Sequence, residues 1–548
     1  MRFGKSILLG SAAGLVAVAG AQAADLPVKA KPVEYVRVCS TYGAGFFYIP
    51  GTDSCIRIGG YMRSQWTING DNTAFSAASG ITNQQRSRDY FINETRGAFS
   101  FDVRNNTQYG VMRAYFQEYI TTQSVTAATP ALQTAYVQLA GFTAGRFLGT
   151  YYTAWDTDIG SYTTSSFTGR DTSQSAGVEY RAQFGNGISA AIGAFDPRRS
   201  GIYDRADTMI MGAFPNSGGV LGAANAAYHL PDIQADVRVE QAWGGVHFGA
   251  LLHENNVIYN DTNRAAGTAP AISTGPATFS NNGGVPQGGT LETSGAPKTR
   301  YGYSLVASVQ LKQLGTGAGD SLVIAGQYGK GALTQIQGSA PKTACAIFGP
   351  GNNSGFYNSV AFGYYMDSVF DSSPGGLDGG RQHLTTGWSI NAGFTHYWIP
   401  SVLRTSFYGH YQSVSYDDTA KAIICSTPAF STYAATGAVT NFAAGSRFGF
   451  TAGSVCDPNF KQWIVGSRTA WNITPDLEIS GDVAYQRYDT ASSGSITGQP
   501  PPGLGLPATG LTTPSSTLVA GKPTGPGFLY NIADQGQFIF ISRLIRSW

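Results

Sequence analysis

KQWIVGSRTAWNI, residues 461–473, sets Trp463 and Trp471 on one face of an extended chain, eight positions apart, with Arg468 on the other face. Side chains alternate along a strand, so the two indoles stand about 26 Å apart along it, or about 20 Å along an axis tilted by about 40°. An aromatic at each edge of an apolar band of that height is what a strand needs in order to cross a bilayer. Other segments repeat the period of two. In 56–68, Ile56, Ile58, Met62, Trp66 and Ile68 oppose Arg57, Tyr61, Arg63, Gln65 and Thr67, and in 94–104, Phe99, Phe101 and Val103 oppose Arg96, Ser100, Asp102 and Arg104.

Reading outward from these stretches gives sixteen alternating segments: 56–68, 94–104, 109–120, 132–140, 142–149, 175–184, 188–195, 234–241, 243–253, 301–312, 320–330, 383–398, 402–416, 461–473, 476–489 and 536–548. Every second junction is tight, as at Gly141, Gly185-Asn186-Gly187 and Thr474-Pro475. The intervening ones, such as 254–300 and 490–535, are long and rich in Gly, Ser, Thr, Asn and Pro. Backbone amides in hydrocarbon must all be bonded within the protein, so sheets cross membranes only as closed barrels. An even number of strands of about ten residues, with short turns at one end and long loops at the other, is the signature of that architecture. A water-soluble sandwich alternates equally well but does not ordinarily gather its long loops at one end.

Composition agrees. Of 548 residues only 12% are charged, about half the share usual in soluble globular proteins. The 71 glycines and 12% aromatics suit turns and strands better than helices. Arg2 and Lys5, the apolar stretch Ile7–Ala19 and Ala21-Gln22-Ala23 read as a signal peptide cleaved after Ala23. Of 35 basic residues, Arg2 and Lys5 leave with it, so the mature chain is formally neutral against its 33 acidic residues. That balance argues against a nucleic-acid partner. Downstream no apolar run of about 18 residues remains, which excludes a helical membrane protein. Residues 24–55 read as a periplasmic lead-in with a Cys-flanked loop, and 56–548 as the barrel.

Catalytic motifs are missing. The sequence holds no GxSxG elbow, no GxxxxGK[ST] loop and no GxGxxG. His247 and His253 share parity but lie about 20 Å apart along a strand, so no metal or other cofactor is expected, and no enzymatic activity. A barrel hydrolase assembled from separate strands would leave no short motif and stands as an alternative, beside a substrate-specific channel or surface receptor. Five cysteines in an exported chain imply disulfides and one thiol left over. Cys39 and Cys55 flank the first loop, Cys425 and Cys456 fall within one long loop, and Cys345 is the expected free thiol.

Four motifs and the final strand carry a family resemblance: ADLPVKAKPVEYVRVCS at 24–40, YGAGFFYIPGT at 42–52, CIRIGGYMR at 55–63, FDVRNNTQYGVMRAYF at 101–116, and GQFIFISRLIRSW at 536–548, which closes on Trp548. The chain resembles the general porins of alphaproteobacteria. The resemblance implies a homotrimer of sixteen-stranded barrels, passive diffusion of small hydrophilic solutes and ions, and multi-pass residence in the outer membrane among lipid and lipopolysaccharide. It also implies Trp548 as the signal read by the outer-membrane assembly machinery. In such porins the third external loop folds into the lumen. The matching segment, 150–174, supplies Asp156 and Asp158, and the wall supplies Arg63, Arg96, Arg113, Arg146, Arg404 and Arg468. The resemblance leaves solute preference and ion selectivity open. Trp463 and Trp471 are the expected girdle aromatics, and Arg546 shares the lipid-facing side of the last strand. The Cys39–Cys55 clamp is expected to pin the barrel's seam at the periplasmic rim rather than line the solute path.

Overall fold

A computed structural model describes residues 37–68, 91–123, 128–155, 174–197, 201–204, 228–257, 297–337, 347–348, 359–363, 366–371, 377–426, 448–450, 453–498, 518–519, 522–523 and 528–548. The signal segment 1–23, Asp156, Asp158 and Cys345 lie outside them.

Sixteen long strands form one antiparallel sheet that closes on itself. They are β1 Cys55–Ile68, β2 Phe91–Thr107, β3 Gly110–Gln123, β4 Thr129–Leu139, β5 Phe142–Leu148, β6 Gln174–Gly185, β7 Ile188–Phe195 and β8 Asp232–Gln241, followed by β9 Gly244–Asn255, β10 Arg300–Leu311, β11 Ser321–Lys330, β12 Thr386–Ile399, β13 Leu403–Ser415, β14 Phe460–Thr474, β15 Leu477–Thr490 and β16 Gln535–Ser547. Each pairs with its sequence neighbours, and β1 closes the ring against β16 in the register Tyr61↔Ser547 to Ile68↔Phe540. Closure leaves no edge in the wall.

All sixteen segments read from the alternation are present, with ends shifted by a few residues. One boundary needs correcting. The stretch 383–398 is not a single strand, because His383–Leu384 pairs with Ser368–Phe370 of an external segment and β12 starts at Thr386. The tight turns at Ala140-Gly141 and Asn186-Gly187 have positive φ at both central residues, the geometry that matches strand twist in a two-residue hairpin.

The parity of each strand divides lipid from lumen. On β14, Trp471 and Val465 are exposed outward, whereas Gln462, Ile464, Arg468 and Ala470 are buried inward. An aromatic belt follows the wall near the long-loop end: Trp388 lies 5.1 Å from Tyr411, Trp463 5.5 Å from Tyr485, and Tyr485 4.9 Å from Phe538, between ring centroids. At the short-turn end Trp548 lies over β1. Its backbone exchanges hydrogen bonds with Gly60, and its ring meets Phe99 edge-on at 6.3 Å. Gly60 is required there, since a Cβ would come within 2.8 Å of the indole. Arg546, outward at the same rim, is neutralised by Asp476 at 2.6 Å.

Beyond the long-loop end, the loops build their own structure, which the alternation did not reveal. A helix, α1 (Asp418–Cys425), is capped by the Asp417 carboxylate, which accepts from the Ala420 N–H at 2.8 Å. The bridge Cys425–Cys456 ties its end down. Five short segments, among them Gly494–Gly498 and Phe528–Ile532, join in a second sheet above the barrel.

Candidate functional site: the lumen

The site is the barrel interior, and a loop enters it. After β5 the chain turns inward at Gly149 and runs along the inner wall of β6 to β10. The Thr150 hydroxyl donates to Glu179 at 2.7 Å, and the Tyr151 N–H donates to the side chain of Gln234 at 3.0 Å. Arg238 donates to the Tyr152 carbonyl at 2.9 Å, and the Trp155 indole N–H donates to Ser308 at 3.0 Å. Tyr151 is fully buried, with its hydroxyl 2.7 Å from Ser304 Oγ. These polar groups of the segment leave water for partners on the wall, as buried polar groups must, and the Tyr152 hydroxyl bonds Gln335 beyond β11. The third long loop therefore starts inside the lumen. In sequence Asp156 follows Trp155 directly, and Asp158 comes two residues after Asp156.

Below Trp155, toward the short turns, lies a cavity of about 730 Å³ lined by Trp155, Arg238, Glu240, Lys312, Arg404 and Arg468 among others. Arg404 donates to Glu478 at 2.5 Å and to Asn472 at 3.1 Å. On the opposite wall Arg63 pairs with Glu94, and Arg96 approaches the same carboxylate at 3.7 Å while its guanidinium covers the Tyr119 ring at 4.1 Å. Arg113 makes a bidentate contact with Asp102, at 2.9 and 3.0 Å, beside the stacked rings of Tyr115 and Tyr136. Arg63, Arg96, Arg113, Arg404 and Arg468 thus all face inward.

Arg146 does not. It stands opposite Ala135 and Ala176, in the parity of the exposed Phe142, while its neighbour Phe147 turns inward onto Phe195 at 5.4 Å and Tyr136 at 6.0 Å. The expectation of Arg146 on the lumen wall is corrected accordingly: Phe147, not Arg146, occupies the inward position. Trp463 and Trp471 both face outward, as the opening stretch required.

Four arginines outside the expected set join the wall, with the carboxylates they share. Arg181 and Arg238 share Asp236. Arg57 and Arg104 join Arg113 at Asp102, at 4.0 and 2.7 Å. Arg57 and Arg104 sit on the polar faces already visible in 56–68 and 94–104, so parity carried the signal. What sequence could not supply was their convergence on one carboxylate. The wall is not polar throughout either: Ile464, Ala484, Ile539 and Ile541 form a buried inward cluster with Tyr408 and Val323, against which Trp155 packs.

Both expected disulfides are present, Cys39–Cys55 and Cys425–Cys456. The first closes a hairpin whose Phe47–Tyr48 pairs with Cys55–Ile56, below the rung where Gly60 meets Trp548. This is the seam, as expected. The hairpin also reaches the lumen, which was not: Phe46 is buried between Arg57 and Arg104, 5.3 and 5.0 Å from their guanidinium carbons, and the Tyr42 hydroxyl donates to Asn106 at 3.0 Å.

With this geometry established, the chain belongs to the porin subfamily, whose family profile it matches over residues 25–502. The porin Omp2b of Brucella abortus (strain 2308) is 30% identical over 259 residues, covering 44% of this chain and 64% of that protein. Omp2b of Brucella suis biovar 1 (strain 1330) is 30% identical over 257 residues, with the same coverage. The match thus spans less than two thirds of these relatives' length. Among solved structures, the outer membrane channel DcaP of Acinetobacter baumannii superposes with a TM-score of 0.48 at 9% identity, over 91% of this chain and 99% of that one. OprB of Pseudomonas putida gives 0.41 at 9% identity, over 90% and 94%. Family and closed barrel make this a multi-pass protein of the Gram-negative outer membrane, with its short turns periplasmic and its long loops external.

Proposed function

We propose that the chain forms a water-filled channel for passive diffusion of small hydrophilic solutes and ions. The observation that carries this reading is the inner wall: a sixteen-stranded barrel is wide enough for an aqueous channel, and this one turns guanidiniums and carboxylates inward around a cavity of about 730 Å³. Solvated charge on an inner face is stable only where water reaches it. In this reading Asp156 and Asp158, which follow the inward-folded Thr150–Trp155 in sequence, are the acidic counterpart of the arginine wall of Arg63, Arg96, Arg113, Arg404 and Arg468. The field between them orients dipolar solutes and disfavours apolar ones. Asp156→Asn with Asp158→Asn is expected to shift the reversal potential of single channels in a planar bilayer. An unchanged potential would remove both from the constriction.

The working unit in this reading is a homotrimer among outer-membrane lipid and lipopolysaccharide, inserted by the assembly machinery through Trp548, after cleavage behind Ala23. The outward Arg146 favours a protein-covered face. An arginine exposed to lipid at mid-membrane costs about 2–4 kcal/mol, and β5, with 7 residues, is the shortest wall strand. A cysteine at position 146 is expected to crosslink subunits at low dilution. Exclusively monomeric product would sink the trimer on this face.

A further inference from the structure

We infer that the periplasmic mouth holds a second selecting element, an oxyanion site built by Arg57, Arg104 and Arg113 around Asp102 and roofed by Phe46 of the disulfide-clamped hairpin. The inference rests on the pore reading and adds to it the class of solute favoured, small carboxylates and phosphates.

The geometry is one of unequal numbers. Arg104 engages both Asp102 oxygens, at 3.0 and 2.7 Å, and Arg113 engages both again at 2.9 and 3.0 Å. Arg104 and Arg113 are direct cross-strand partners, and like charges placed so repel unless an anion lies between them. One buried carboxylate, with a side chain only 2% exposed, has taken up its full acceptor capacity with these two forks. Arg57 comes third. Its side chain is 50% exposed, and its guanidinium reaches Asp102 only at 4.0 Å and donates no hydrogen bond among the described residues. The cluster therefore keeps two positive charges in excess, and its most exposed fork is the least satisfied.

Elsewhere on the wall the charges balance more closely, as at Arg404 with Glu478. A planar guanidinium fork matches carboxylate and phosphate oxygens bidentately. Phe46 seats Arg57 and Arg104 by contact with both, and the Cys39–Cys55 bridge holds Phe46 in place.

The test is the chloride-to-potassium permeability ratio of the purified full-length channel under a KCl gradient, for the wild type, Arg57→Gln and Arg57→Lys. The wild type is expected to favour chloride. Arg57→Gln should lower the ratio about tenfold, because one charge about 6 Å from a passing ion in water weights chloride up and potassium down by about threefold each, and Arg57→Lys should keep it. Inorganic phosphate on the periplasmic side should reduce wild-type chloride current and lose that effect in Arg57→Gln. Should Arg57→Gln fail to insert, Arg104→Gln reads the same quantity. A conducting channel whose ratio is the same in the wild type and the Gln variants overturns the site, as does phosphate block of equal strength in both. A wild type that conducts nothing refutes the pore itself instead.

Discussion

Replacing Cys39 and Cys55 together by Ala opens a loop of sequence separation 16. Ala is the apt replacement because both sulfurs are buried, and Ser would bury a hydroxyl without a partner. By loop-closure entropy the bridge contributes about 3 kcal/mol, and Cys425–Cys456, with separation 31, only about half a kcal/mol more. Were chain entropy the whole effect, the two double variants would behave alike. Position separates them. The first bridge clamps Phe47–Tyr48 onto Cys55–Ile56, the continuation of β1 immediately below the Gly60–Trp548 rung. The second fastens α1 in an external loop, away from the seam. Loss of the first should let the lowest rungs of β1 and β16 open. Amide exchange at residues 60–68 and 540–548 should then rise by up to about a hundredfold, the factor about 3 kcal/mol represents. Cys425→Ala with Cys456→Ala should leave those amides alone and loosen 418–425. Hydrogen–deuterium exchange read by mass spectrometry on the detergent-solubilised protein resolves the two. Equal protection of the seam in both variants and the wild type would refute the seam role, and equal loss in both would make the effect one of general stability.

Gly60→Val should displace Trp548, because the added Cβ overlaps the Ala98 carbonyl oxygen and the indole. Overpacking of this kind costs about 1–3 kcal/mol, read as a lower urea midpoint for unfolding. Asp102→Asn takes the shared anion from Arg104 and Arg113 and should cost about 1–3 kcal/mol in the same assay. Asp320, in the turn before β11, gives a pH dependence: burial pushes its carboxyl up, but hydrogen bonds from the Thr316 hydroxyl, His396 and the Tyr397 N–H outweigh it and bring the pKa down to about 2 from 3.8. A depressed pKa stabilises the folded state fully above the unfolded value and ceases to do so as pH falls through the folded one. The wild type should thus lose stability between about pH 4 and pH 2, and Asp320→Asn should flatten that part of the acid-unfolding curve followed by tryptophan fluorescence.

The wall was legible in the sequence because a lipid-to-water partition imposes a period of two, and each of the sixteen strands carries it. The loops were not. Segments such as Ile347–Phe348 and Gly494–Gly498 pair above the barrel with partners remote in sequence, and a few extended residues bear no periodicity to read. Within the lumen, parity identified Arg63, Arg96, Arg113, Arg404 and Arg468 as inward, one strand at a time. It could not reveal that Arg104 and Arg113 face each other across the β2–β3 pair, because that depends on register, set by the Thr107↔Gly110 turn. The hairpin of residues 39–55 pairs with the foot of β1 and also reaches the lumen through Phe46. Phe46 reads as one more aromatic in a loop until the fold sets it between two guanidiniums.

Arg146 shows what an inverted pattern means. Alternation assigns side chains to two faces but does not say which face is wet. The assignment rests on the rule that charge goes to water and apolar groups to lipid. On β5 the inward set is Thr143, Gly145 and Phe147, and the outward set includes Phe142 and Arg146. Phe147 is at home inside because Tyr136 and Phe195 pack around it where the loop enters, so the lumen there is a packed interior rather than open water. The outer face of the same short strand carries a charge that lipid would not tolerate without help. Both departures point one way: at β5 the wall has protein against its inner face and, in the trimer proposed above, the cost of Arg146 in lipid favours protein against its outer one as well.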